Sequence, residues 1–239
     1  MNQHIVKSYE SELALLDSKI GQMGGLAEQL IGEAFAALEQ RNPTRAEAAV
    51  ASDSSIDALQ AELEEQVILM IARRQPVAND LRQIMAVLKV AADLERIGDL
   101  GKNIGKRALA LSGENQPKAL LSGLRHMVDL ASRQLKDVLD AFAVRDADKA
   151  LKVWHDDENI DALYNSVFRE LLTYMMEDPR NIGLCTHLLF IAKNVERIGD
   201  HTTNIAETVN YLARGALPAG QRPKNDQTST TLVAKPLKD

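Results

Sequence analysis

Two sets of oxygen-bearing side chains in this 239-residue chain stand at spacings that could hold a cation. In the first half Asp53 and Asp57 are four residues apart, and Glu95, Asp99 and Asn103 follow at intervals of four. In the second half Asp157 and Asp161 repeat the first spacing, and Glu196, Asp200 and Asn204 repeat the second. Residues four apart lie on one side of an α-helix, so each set reads as a stripe. Like charges at that spacing weaken a helix by a few tenths of a kcal/mol, so a surface built for stability alternates its signs. Clusters with only oxygen donors are what hard divalent cations need, because the cation offsets the carboxylate repulsion. The competing reading is a solvated acidic face with no ligand. Duplication alone does not decide between them, since a duplicated gene copies a bland surface as faithfully as a useful one.

The stripes sit inside an internal repeat. Glu95-Arg96-Ile97-Gly98-Asp99 recurs as Glu196-Arg197-Ile198-Gly199-Asp200, and Ile56-Asp57-Ala58-Leu59 recurs as Ile160-Asp161-Ala162-Leu163. Upstream, Arg41-Asn42-Pro43-Thr44-Arg45-Ala46 matches Arg145-Asp146-Ala147-Asp148-Lys149-Ala150. The offset is 104 for the earlier matches and 101 for the later one, so repeat two has lost three residues between its second and third segments.

Breaker residues cut each half into three helical segments, 9–40, 43–72 and 77–111, then 118–144, 146–177 and 181–214. Pro43 suits a first helical turn, while Pro76 and Pro179 mark breaks, because proline lacks the amide donor a helix interior requires. Long segments joined by a few residues fold back as antiparallel neighbours. The expected fold is all-α, with six long up-down helices in two tandem pseudo-symmetric three-helix bundles, 1–112 and 113–214. The last segment carries a seam at Leu188, Ile191, Val195, Ile198, Thr202, Ile205, Val209 and Leu212, which step by three and four. Val87, Val90, Leu94, Ile97, Gly101, Ile104, Ala108 and Leu111 form its counterpart. Counted from these seams, the acidic stripes fall on the opposite face. Residues 215–239 have no period and are rich in Pro, Gly, Ser, Thr and Lys, so a disordered tail is expected.

Composition agrees and excludes several function classes. Hydrophobic residues are 45% of the chain, enough for a core, and only 9 residues are aromatic, too few for a turn-rich β-sandwich. A net charge of −6 argues against a nucleic-acid binder driven by phosphate attraction. The single Cys185 allows neither an internal disulfide nor a thiolate zinc site. The longest charge-free apolar run, at 184–192, is far below the roughly 20 residues a membrane helix needs, and the N-terminus lacks a secretory core. A cytoplasmic protein without direct membrane insertion is expected. None of His4, His126, His155, His187 and His201 has a glutamate three residues before it, which argues against a ferritin-type di-iron site. No phosphate-binding Gly-rich loop with Lys and Ser or Thr is present either.

Other residues carry blander readings. Gly98 and Gly199 sit mid-helix, where glycine costs about 1 kcal/mol relative to alanine, and close helix packing is their commoner use. Arg96 and Arg197 read as ion-pair partners of a neighbouring helix, and His155 and His201, whose first-half counterparts are Ala51 and Leu100, read as bystanders to the second stripe. Cys185 and Met175-Met176 fit ordinary packing.

The paired Glu-Arg-Ile-Gly-Asp and Asp-x-x-Ile-Asp motifs in two three-helix repeats closely resemble the PhoU family of phosphate-transport accessory proteins. The resemblance covers about residues 1–214. It implies a regulator and not an enzyme: a negative regulator of the phosphate-starvation response that links the ATPase subunit of a phosphate ABC transporter to a PhoR-type sensor histidine kinase. It also implies a divalent metal, Mg or Mn, with Fe or Zn clusters in some relatives. Carried over residue by residue, the ligands are Asp53, Asp57, Glu95, Asp99 and Asn103, and Asp157, Asp161, Glu196, Asp200 and Asn204. Exposed helix faces make a homodimer the expected assembly. The alternative is a metal-free helical adaptor with no phosphate role.

Overall fold

A computed structural model describes residues 2–220 and Arg222, with side chains from Glu10 onward except Ala119. Six helices follow in order: α1 (Asn2–Gln40), α2 (Pro43–Arg74), α3 (Asn79–Ala110), α4 (Lys118–Val144), α5 (Ala147–Glu177) and α6 (Ile182–Arg214). A short 3₁₀ turn, Pro179–Asn181, precedes α6. The described part of the tail runs back against the protein, contrary to the expected disorder: Asn210 donates through Nδ2 to the Ala216 carbonyl at 2.7 Å. Residues 223–239 of that expected tail lie outside the described residues.

The repeat is visible in the turns. Arg41 and Arg145 both take a positive φ, 50° and 58°. In each case the next amide reaches back five residues, Asn42 to the Ala37 carbonyl at 3.0 Å and Asp146 to the Ala141 carbonyl at 2.9 Å. That pattern closes a helix by satisfying carbonyls its last turn leaves orphaned. The same residue then opens the next helix. The Asn42 side chain accepts from the Arg45 amide, and the Asp146 side chain from the Asp148 and Lys149 amides. Two successive residues thus end one helix and start another, which forces the antiparallel hairpins α1–α2 and α4–α5. The turns into α3 and α6 are both four residues long, so the three residues missing from repeat two come out of the helix ends beside them.

Helices α1, α2 and α3 pack together, as do α4, α5 and α6, and the halves join through α3 against α6 and α1 against α4. Seam residues from Val87 to Leu111 and from Leu188 to Val209 are buried, as the spacing requires; Leu212 is half-buried. Each fully buried leucine or isoleucine contributes about 1.5–3 kcal/mol of hydrophobic stabilisation. Both halves contribute to one continuous core, from Leu16 on α1 to Val209 on α6. No helix among the described residues is long and apolar enough to cross a membrane.

Each of α3 and α6 therefore touches three other helices. The acidic stripes are not on an open face. Asp53, Asp157, Asp161 and Glu196 are buried, Glu95, Asp99 and Asp200 are half-buried, and only Asp57 and Asn103 are exposed. A helix with neighbours on three sides has little free girth, so the side opposite one seam meets another helix.

Candidate functional site

Two mid-helix glycines place the stripes. A Cβ on Gly98 would stand 2.9 Å from Ile56 Cδ1 and 3.1 Å from Asp53 Oδ1, and one on Gly199 would stand 2.8 Å from Ile160 Cδ1 and 3.3 Å from Asp157 Oδ1. The missing methyl lets the second helix of each half press an isoleucine and an aspartate against the third. Close packing and the acidic site are therefore served by the same glycine.

In the first half the structure brings Asp53, Asp57, Glu95 and Asp99 into one electrostatic group. Desolvation raises the Asp57 carboxyl above its ordinary range, with repulsion from Asp53 and Asp99 added and Lys102 opposing. Desolvation likewise raises Glu95, against the pull of Arg96 and with Asp99, Asp57 and Asp53 adding to it. The charge is balanced from within the chain. Lys102 Nζ lies 2.5 Å from Asp53 Oδ2 and 3.7 Å from Asp99 Oδ1, and the bond to Asp53 raises the Lys102 pKa. Arg96 pairs with Glu95 and Asp99 of its own helix, at 3.2 and 3.3 Å, not with a neighbouring helix as its type and position imply. Asn103, on the same helix, is exposed to solvent.

In the second half Asp157, Asp161 and Asp200 are grouped. Burial raises the Asp157 carboxyl, and the Arg222 guanidinium lowers it in part, while Asp161 and Asp200 add repulsion. Arg222 donates to Asp157 Oδ2 through Nε at 3.0 Å and Nη2 at 2.7 Å, and to Asp200 Oδ1 through Nη2 at 2.7 Å. Glu196 is paired with Lys193 at 2.9 Å. Asn204 turns away from this group; its amide donates to Asp93 Oδ1 on α3 at 3.2 Å. His201 also meets Asp93, at 2.8 Å through Nδ1, and His155 stacks edge-on with Trp154, so both histidines stand apart from the stripe.

Three partners of the candidate residues, Lys102, Asp93 and Arg222, are absent from a reading by spacing. Lys102 was findable, because it lies three residues from Asp99 on the same helix side. Asp93 and Arg222 carried no local signal; each acts across the fold. Asp93 belongs to a cleft of about 450 Å³ between α3 and α6, lined by Lys89, Arg96, Asn204 and Glu207 among others.

The donor chemistry fits a hard divalent cation. All the grouped donors are oxygens, and Asp53 Oδ1 is buried without a hydrogen-bond partner beside Gly98. The arrangement as it stands is satisfied differently, by an ammonium in one half and a guanidinium in the other. Among the described residues no three His, Cys, Asp or Glu side chains are arranged to hold a metal ion.

Comparison with known proteins places both halves in one family model. The PhoU domain model matches residues 20–108, within α1–α3, and 124–209, within α4–α6. The chain is 53% identical over 227 residues to the phosphate-specific transport system accessory protein PhoU homolog of Rhizobium meliloti (strain 1021), covering 95% of this chain and 96% of that protein. It is 50% identical over 229 residues to the PhoU homolog of Caulobacter vibrioides (strain NA1000 / CB15N), covering 96% and 100%. The crystal structure of PhoU from Pseudomonas aeruginosa superposes with a TM-score of 0.84 at 38% identity, over 87% of this chain and all of that one. The phosphate transport system regulatory protein PhoU from Streptococcus pneumoniae gives 0.81 at 30% identity, over 88% of this chain and 99% of that one.

Proposed function

The chain belongs to the PhoU family, and from that premise we propose that it is a non-enzymatic regulator of phosphate transport that represses the phosphate-starvation response when phosphate is plentiful. It couples the ATPase subunit of a phosphate ABC transporter to a PhoR-type sensor histidine kinase, in the cytoplasm, as a homodimer. The observation that carries the reading is end-to-end correspondence, since nearly the whole chain aligns with nearly the whole of relatives named for the phosphate-specific transport system.

The acidic stripes are its cation sites. Asp53, Asp57, Glu95 and Asp99 would hold a divalent ion, Mg²⁺ or Mn²⁺, in the first half, and Asp157, Asp161 and Asp200 in the second. Bound there, the ion would supply positive charge against the carboxylates, whose shared hold on it would tie α2 to α3 and α5 to α6. The chain's own part is to present the oxygens at the glycine notches and to move Lys102 or Arg222 aside. Asn103, exposed beside its stripe, and Asn204 and Glu196, engaged elsewhere, are the weakest members of the expected ligand sets.

A second reading, a metal-free adaptor, is favoured by the same two cations, because Lys102 and Arg222 already neutralise the carboxylates. Metal analysis of untagged protein separates the two: at least one ion per half supports cation sites, and an empty protein supports the adaptor. The regulatory role is tested by deleting the gene and measuring alkaline phosphatase activity in phosphate-rich medium. High activity is expected. Unchanged low activity would remove the role as a repressor.

A further inference from the structure

The two acidic groups are neutralised in unlike ways. In the first half the cation is Lys102, fixed on α3 itself and three residues from Asp99. The equivalent position on α6 is Thr203, whose buried hydroxyl donates to the Gly199 carbonyl at 3.0 Å and brings no charge. The second group draws its cation from outside the helical repeat, from Arg222.

The path of the chain makes that contact a strap. Helix α6 ends at Gly215, whose φ of 75° turns the backbone off the helix axis. Asn210 then holds the Ala216 carbonyl, and Leu217, Pro218 and Ala219 line a groove with Leu151, Trp154 and His155 of α5. From Asp200 to Gly215 the helix rises about 22 Å. Seven residues from Gly215 to Arg222 span at most about 24 Å. A near-extended strap thus reaches back to the level of Asp200, and the arginine side chain covers the sideways distance to the carboxylates. Arg222 is largely covered, its side chain 16% exposed, and it bridges a carboxylate of α5 to one of α6.

We propose that Arg222 is a tethered counter-ion that closes the second acidic group to external cations, and that entry of a divalent cation there and release of the strap are one event. The first group, neutralised from its own helix, has no such gate. A guanidinium and a metal ion cannot share the same oxygens Oδ2 of Asp157 and Oδ1 of Asp200, so the two compete. This inference rests on the reading of the stripes as cation sites. A strap docked nine-tenths of the time or more lowers the apparent affinity of the second site by ~10-fold or more, and its tether keeps the arginine at a high local concentration.

The test titrates Mn²⁺ into the full chain, into Arg222→Gln and into Arg222→Gln/Asp200→Asn. Free Mn²⁺ is followed by electron paramagnetic resonance. The strap is followed by hydrogen exchange over 216–222 and by fluorescence of Trp154, the sole tryptophan, which lines the strap's groove. Arg222→Gln should bind one Mn²⁺ ~10-fold more tightly or better, and the added Asp200→Asn change should abolish that gain. In the unsubstituted chain Mn²⁺ should speed exchange of the strap and shift the Trp154 emission. Equal Mn²⁺ affinity with and without Arg222 would overturn the gate and leave the cation sites standing. No Mn²⁺ bound by any of the three proteins would overturn both.

Discussion

Lys102 and Thr203 occupy the same position of the repeat, 101 residues apart, yet only Lys102 reaches into its acidic stripe, with Nζ 2.5 Å from Asp53 Oδ2. Asp53 is 1% exposed and its other oxygen has no hydrogen-bond partner. The ammonium is therefore the main compensation for a buried charge. Removing one partner of a buried pair costs about 3–5 kcal/mol, because the other charge is left behind. Lys102 is 30% exposed on its side chain, so water recovers part of that loss. Lys102→Met should destabilise the protein by about 1–3 kcal/mol at pH 7.5 in urea unfolding. Lys102→Met/Asp53→Asn should recover most of that loss, because no buried charge is then left without its partner. A Lys102→Met protein of unchanged stability would mean that Asp53 is solvated in another way.

The glycines offer a paired test. Helix propensity favours alanine over glycine by about 1 kcal/mol. Gly32 of α1 has nothing within 4 Å of an added Cβ, so Gly32→Ala should stabilise by about 0.5–1 kcal/mol. Gly98 faces the fully buried Ile56 at 2.9 Å and Asp53 Oδ1 at 3.1 Å. Overpacking costs about 1–3 kcal/mol, so Gly98→Ala should lose about 1 kcal/mol despite the better propensity. Chemical denaturation of the two variants should give shifts of opposite sign. Shifts of the same sign would show that α2 yields freely to α3 and that the notch is not needed.

Acid should strengthen the stripes before it weakens the surface. Asp57, Glu95 and Asp157 all titrate above their usual range, for desolvation first and mutual repulsion second. Carboxyls raised in the folded state hold protons more tightly than in the unfolded chain. Their stabilising effect is complete below the ordinary carboxylate value near about 4 and is lost as pH rises through the higher folded value. Glu33, Asp140 and Asp178 run the other way, lowered by hydrogen bonds from Arg45, from Lys149 and Lys136, and from Arg180. Their contribution exists above the ordinary value and disappears as pH falls through the folded one. Stability should therefore rise as pH falls through these raised folded values and drop again below the ordinary carboxylate value near about 4. Asp57→Asn should gain a few tenths of a kcal/mol at pH 7.5 and flatten the rise, as read from urea midpoints across that range. A rise as steep in Asp57→Asn as in the unsubstituted chain would assign the slope to Glu95 and Asp157 alone.

The helices and their partners were legible because apolar burial imposes a period that a single strand of text displays. Val195, Ile198 and Thr202 face inward for the reason their spacing implies, and Asn42-Pro43 marks a helix start through a side-chain cap and a ring that needs no amide partner. Membership of a stripe was legible too, since four residues make one helical turn. Which neighbour a stripe meets was not, because spacing fixes a side of a helix and not what packs on it. That is why Asn204 belongs to Asp93 and Asp53 is buried. Arg222 is the extreme case. One cation in a segment without period finds its carboxylates 65 residues away at Asp157, through a path that only the folded helices define.

Asp93 joins the two halves through polar contacts, and its removal should reveal how much of that joint is polar. It accepts from His201 Nδ1 at 2.8 Å and from Asn204 Nδ2 at 3.2 Å, and lies on α3 while both donors lie on α6. Its side chain is 17% exposed, so the donors would not be fully repaid by water once the carboxylate is gone. Leaving a largely buried polar group unpaired costs about 1–3 kcal/mol. Partial access to water places Asp93→Ala near the lower end, about 1–2 kcal/mol, in urea unfolding at neutral pH. Asp93→Asn keeps an acceptor oxygen in the same place and should lose less than half as much. Because Asp93 is outside both grouped sets of carboxylates, neither variant should change Mn²⁺ binding. Asp93→Ala as stable as the unsubstituted chain would assign the joint to apolar packing of α3 on α6 alone.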